Sequence, residues 1–242
     1  MITTLFKREL ASYFSTPLAY VFIVIFLMLS AALTFFLGGW YERSQADLLP
    51  FFGFHPWLYL FLVPAIAMKL WAEERKSGTV ELLLTLPITV FQAVVGKYLA
   101  AWVFIGIALA LTFPMWLTVN YLGSPDNGVI LAAYLGSWLM AGAFLAVGSC
   151  MSAATNNQVI AFILSVVVCF MFILAGFTLV FDVFKDWAPL PVLDAITSLS
   201  FLSHYQAISR GVLDFRDVAF FIVMILAWLL ATAIVIDIKK AS

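Results

Sequence analysis

Glu73-Glu74-Arg75-Lys76 is the densest run of ionisable side chains in this chain, and Ser77-Gly78-Thr79 follows it at once. Two carboxylates and two cations side by side suit a polar surface that meets a partner. The other groups with chemical capacity are few. Gly96-Lys97 is the sole Gly-Lys pair, and Phe91 stands where a phosphate-cradling loop needs glycine, so ATP is not bound by that route. His55 and His204, the two histidines, lack metal-ligand spacing. Ser149 follows Gly148 in an apolar run; peptidase chemistry there needs a base inside the membrane, and His204 lies in a polar segment outside it. Cys150 and Cys169 fall in apolar runs and read as polarizable packing residues, with no disulfide framework.

These groups sit in a very apolar frame. Of 242 residues, 65% are apolar and 10% charged, and mean hydropathy is +1.10. Soluble domains carry about 25% charged residues, so the composition argues against disorder and against a soluble enzyme. The net charge of −1 gives no nucleic-acid footprint. The first apolar run is too long for a secretory signal and has no small-x-small cleavage site.

A helix needs about 20 residues to cross the hydrocarbon core. Six segments qualify: about 17–39, 56–71, 98–122, 129–154, 159–180 and 218–236. Pro64 predicts a kink in the second, and Lys69 can snorkel from its end. Residues 129–180 hold no charge, and Thr155-Asn156-Asn157-Gln158 divides them into two spans. Backbone groups in a bilayer must bond internally, which predicts an all-α integral membrane protein. With both termini on one side, that side carries Lys7, Arg8, Lys69, Arg75, Lys76, Lys97, Lys239 and Lys240, against Arg43, Lys185, Arg210 and Arg216 opposite. Eight against four predicts cytoplasmic termini. None of the six spans holds an Asp, Glu, Lys, Arg or His at mid-depth, which argues against an ion-coupled transporter. Gly142, Ala146, Gly148 and Ser152 read as small residues that let helices approach closely, within the chain or between two copies.

Residues 72–92 read as a segment of their own. Gly78 suits a helix end, Thr79 an N-cap, Glu81 the first turn of a new helix, and Pro87 its stop. Thr89 is placed to cap a further helix that carries Gln92 and Lys97 into the third span. Residues 1–16 give an amphipathic interfacial helix through Ile2, Leu5, Phe6, Leu10, Tyr13 and Phe14. Residues 181–217 are too polar to span, yet keep an apolar face at helical spacing behind Pro189 and Pro191, which predicts external interfacial or re-entrant helices. These helices are read as an outer gate, a docking site for an accessory protein, or a lid over the spans. His204 and Arg210 are candidate contacts for an anionic cargo, beside the alternative of a salt-bridged surface.

The pattern Glu74-Arg75-Lys76-x-Gly78-Thr79-x-Glu81-Leu82-Leu83-x-x-x-Pro87, with Lys97 ten residues on, resembles the first cytoplasmic loop of ABC-2-type exporter permeases. Ser203-His204-Tyr205-x-x-Ile208-x-Arg210-Gly211-Val212-Leu213-Asp214-x-Arg216-Asp217 resembles the gliding-motility-type bacterial branch of that family. The resemblance implies an inner-membrane permease that works with a second permease copy, identical or related, and with a separate ABC-type ATPase that binds ATP and Mg; a periplasmic accessory subunit is left open. It implies that the chain itself binds no cofactor and that residues 72–92 form a coupling helix. Carried over, Glu73, Glu74, Arg75, Gly78, Thr79, Glu81 and Pro87 are ATPase-coupling residues, packed beside an elbow helix with Lys7, Arg8 and Glu9, with Asn156 and Asn157 as a second contact. His204, Tyr205, Arg210 and Asp214 are the external gate or cargo contacts. Membrane lipid surrounds the chain, and a charge-free apolar wall suits a hydrophobic or amphipathic cargo. An ATP-independent carrier and a non-transporting envelope scaffold are the alternatives.

Overall fold

Proline, glycine and short polar side chains set where the helices start and stop. The computed structural model describes residues 2–43, 45–78, 89–177 and 189–240, and among these it contains twelve α-helices and no strand. Helix α1 (Ile2–Phe14) leads to α2 (Pro17–Ala32), which opens on a proline in its first turn and runs into a π-helical turn, Leu33–Leu37. Short α3 (Leu49–Gly53) and α4 (His55–Ala67) meet at Phe54. Helix α5 (Ala72–Ser77) ends at Gly78, whose φ of 71° is the left-handed conformation that favours glycine.

Thr89 and Gln92 form a reciprocal capping box at the start of α6 (Val90–Ala110), as the sequence predicts. Asp126 caps α8 (Asn127–Ala154), and Asn157 caps α9 (Gln158–Leu174) across the expected polar turn. On the outer side of the sequence reading, α10 (Leu190–Ser198) and α11 (Phe201–Ser209) precede α12 (Phe215–Lys240).

Four helical stretches are long and apolar enough to cross a membrane: Ala19–Leu37, Val90–Leu122, Asn127–Ala154 and Phe215–Lys239. Gln158–Leu174 is apolar but shorter, at 17 residues. The second expected span differs most. Its helix α4 has 13 residues, about 20 Å at 1.5 Å per residue, and does not stop at Pro64 but three residues later. The third begins at Val90 instead of Tyr98, because ion pairing lets the helix run through a buried Lys97. It breaks at Leu111-Thr112 before α7 (Phe113–Leu122), since Pro114 has no N–H to continue the ladder. Thr112 Oγ1 donates to the Leu109 carbonyl there, at 2.6 Å. Residues 178–180 of the fifth span and 181–188 of the external segment lie outside the described residues.

Helix α8 is the hub: it packs against α4, α6, α9, α11 and α12, and every residue from Met140 to Cys150 is buried. Small residues permit this crowding. A Cβ on Gly148 would lie 2.4 Å from the Ala67 Cβ of α4. Gly148→Ala is expected to lower stability by about 1.5 kcal/mol through overpacking, and Ala67→Gly in the same chain to restore most of it, both read by thermal unfolding in detergent. Trp102 of α6 and Trp138 of α8 stack at 4.2 Å, and each indole N–H donates to the other's backbone carbonyl. By contrast α2 and α12 turn rows of apolar side chains outward, among them Tyr20, Val24 and Met28, and Val223, Leu226 and Leu230.

Candidate functional site: the junction at the terminal face

Helix α1, α5, the start of α6 and the ends of α8 and α12 converge on one face of the bundle. Three sets of contacts join them. In the first, Lys97 of α6 places Nζ 2.6 Å from Glu74 Oε1 of α5 and 3.4 Å from Glu9 Oε2 of α1. Its side chain is 5% exposed, so the cation is desolvated and the carboxylates compensate it. The ammonium also lies 5.5 Å from the centre of the Trp71 ring. Arg8 pairs with Glu9 at 2.7 Å on the exposed side. Helix α1 is seated on α6 as well: Leu5 covers Gly96, and Tyr13 stacks on Phe104 at 5.1 Å. Burial, then the Glu9 charge, push the Tyr13 phenol above its ordinary value, so it stays neutral.

The second set locks the α4–α5 break onto α8. Ser152 Oγ accepts from Trp71 N at 3.1 Å and Ala72 N at 3.0 Å, and donates to the Met68 carbonyl at 2.9 Å. The first N–H groups of a helix have no partner within it; here a side chain one helix away supplies it. Trp71 Nε1 donates to Ser149 Oγ at 3.2 Å. The third set caps α8. Arg75 donates to the Ala153 carbonyl at 2.6 Å and Lys239 of α12 to that of Ala154. Two cations thereby meet the negative end of a 28-residue helix and its orphan carbonyls. Burial holds the Arg75 guanidinium below its usual value.

The structure thus brings Glu9, Glu74 and Arg75 into one connected junction. Glu73 is exposed beside it, Lys7 is exposed on α1, and Gly78 ends α5. Asn156 is exposed in the α8–α9 turn, where Asn157 Oδ1 accepts from Val159 N. Thr79, Glu81 and Pro87 lie outside the described residues. Ser149, Ser152, Trp71 and Lys239 are the members that sequence reasoning did not assign. The only signal for the serines was their i,i+3 spacing near the end of an apolar run. Lys97 stood in the quoted pattern, yet its burial was not visible there.

At the opposite face, His204 Nδ1 lies 2.6 Å from Asp217 Oδ1 and Nε2 2.9 Å from the Ser198 carbonyl, with the ring stacked on Phe220. Tyr205 donates to the Phe52 carbonyl at 2.8 Å, and burial pushes its phenol well above the ordinary value. Asp214 Oδ1 accepts from Arg216 N at the start of α12. His204 and Tyr205 tie α10–α12 and α3 together, while the Asp214 bond is local to the start of α12. Arg210 instead lines an apolar cavity of about 250 Å³ with Asp47, Phe52, Asp126 and Ile130. Among the described residues no three His, Cys, Asp or Glu are grouped to hold a metal.

The junction links α5 directly to α6 and α8, and through Lys97 to α1. No curated protein matches the chain at a significant level. A sequence model described as "ABC-2 family transporter protein" matches residues 50–236, a stretch that runs from within α3 through most of α12. This multi-pass membrane chain therefore belongs to the ABC-2 transporter family.

Proposed function

We propose that the chain is the permease subunit of an ATP-driven exporter. In this reading it crosses a bacterial inner membrane six times, the four long stretches being joined by α4 with its flanks and by α9. Residues 1–16 form an elbow helix and 17–242 one transmembrane domain. Both termini and residues 72–92 are cytoplasmic, in keeping with the excess of Lys and Arg on that side. A separate ATPase, holding ATP and Mg, docks on residues 72–92, with Asn156 and Asn157 as a second contact. Two permease copies enclose the pathway, and the outward apolar faces of α2 and α12 leave room for such pairing. Arg210, over its apolar cavity, is the external residue best placed to meet cargo.

One observation carries this reading: Glu74 and Arg75, at the root of the expected docking segment, bond directly to Lys97 and to the end of the hub helix α8. Closure of an ATPase pair against that segment would reach the core of the bundle in one step. Gentle purification of the tagged chain from its native membranes is expected to bring down an ABC-type ATPase at one copy per permease, by mass spectrometry. Glu81→Ala should release it while leaving membrane insertion intact. Recovery of the chain alone, or with envelope proteins only, would favour the carrier or the scaffold.

A further inference from the structure

A second feature of the terminal face is a half-open cavity of about 290 Å³ between α1, the α4–α5 turn and α6. Two lysines, Lys69 and Lys97, and three glutamates, Glu9, Glu73 and Glu74, line it, for a formal charge of −1. Lys97 is engaged by Glu74 and Glu9. Lys69 and Glu73 remain; neither makes an ion pair among the described residues, with each other or with a third group. The cavity thus offers a ligand one open cation and one open anion, with the Ser12 hydroxyl on the α1 side; the Thr16 hydroxyl donates to the Tyr13 carbonyl.

From this geometry we infer that the cavity binds the headgroup of a membrane phosphatidylethanolamine, its phosphate on Lys69 and its ammonium on Glu73. The volume lies just below the range of about 300–1,000 Å³ usual for ligand sites, which suits a headgroup and not a whole lipid. A purely anionic headgroup would leave Glu73 facing negative charge in a lining already at −1. A choline headgroup has no N–H to donate to a carboxylate, and it is usually recognised by aromatic cages; the one aromatic ring on this wall, Tyr13, is stacked on Phe104. Position favours a lipid over a soluble zwitterion. Thr16, on the cavity wall, immediately precedes α2, whose Tyr20, Val21 and Val24 are exposed along the apolar face that acyl chains would follow. Such a lipid joins α1 to α5 beside the Lys97 network, and it does so whether or not an ATPase docks.

Native mass spectrometry of the full-length protein in detergent tests this with dioctanoyl-phosphatidylethanolamine, dioctanoyl-phosphatidylglycerol and free phosphoethanolamine. The wild type is expected to retain the ethanolamine lipid about tenfold better than the glycerol lipid, the worth of one charge-assisted hydrogen bond. Glu73→Gln should erase that preference, and Lys69→Gln should weaken both lipids. Equal retention of the two lipids by the wild type, or a preference that survives both substitutions, would overturn the assignment. Free phosphoethanolamine binding as well as the lipid would overturn the membrane source in favour of a soluble zwitterion. The wild-type comparison needs no variant to fold.

Discussion

Lys97→Met is expected to cost about 2–3 kcal/mol of stability and to free the N-terminal helix. Removing one partner of a fully buried ion pair costs about 3–5 kcal/mol, because the other charge is left uncompensated. Here the carboxylates are partly open, Glu9 at 18% and Glu74 at 22% exposure, so solvent relieves some of that penalty. Methionine fills nearly the same volume, which keeps cavity formation out of the comparison. The loss is of the cation that holds Glu9 of α1 and Glu74 of α5 on α6, and of its approach to Trp71. Two measurements follow. Unfolding in detergent should begin at a lower temperature, and trypsin should cut faster at Lys7 and Arg8, both already exposed on α1. Glu74→Gln added to Lys97→Met should recover part of the loss, and the double-mutant cycle gives the coupling energy. Unchanged unfolding together with unchanged cleavage would show that the packing of Leu5, Tyr13 and Phe14 suffices and that the ion network is idle.

Local signals marked several helix ends, while the span bounds shifted, most in α4 and α6. Thr89 caps α6 and Gly78 ends α5 as expected; the expected polar turn supplies Asn157 as the cap of α9, and Pro191, expected ahead of its helix, lies within the first turn of α10. Apolar runs located α2, α4, α6, α8, α9 and α12, but not α3, whose Phe51 and Phe52 are buried in the core. Contacts between distant residues were the part that local pattern does not encode. Lys97 marked a membrane boundary on charge alone; its partners lie 88 and 23 positions away, and only their convergence makes a lysine tolerable inside a helix. Ser152 read as a small residue that admits a neighbour, which its burial supports, but its hydroxyl serves a backbone about 80 positions distant. At the opposite face the same limit applies: Tyr205, a candidate cargo contact, spends its hydroxyl on a carbonyl 153 positions away. Helix α4 fell short of its expected length because Met68–Trp71 turn instead of continuing, with the Met68 carbonyl and the Trp71 N–H bonded to Ser152 of α8.

That turn is where the other large effect is expected, in Ser152→Ala. The residue is fully buried, and its hydroxyl makes three hydrogen bonds, from Trp71 N and Ala72 N and to the Met68 carbonyl. Alanine removes one oxygen and strands two buried donors and an acceptor. Each such group costs about 1–3 kcal/mol when left unmade, and with some relaxation the total should be about 3 kcal/mol. Ser149→Ala, by comparison, loses one bond, that from Trp71 Nε1, and should cost about 1 kcal/mol. The functional consequence separates a strut from a filler. If α5 drives α8 through this hydroxyl, Ser152→Ala should depress ATP-dependent transport more than its stability loss explains, measured at a temperature where the variant remains folded. Ser152→Thr keeps the oxygen and should keep the coupling, at the cost of one added methyl. A Ser152→Ala variant that unfolds earlier but transports normally while folded would mean that this hydroxyl only stabilises the turn, and the Arg75 bond to the carboxyl end of α8 would be the next link to test.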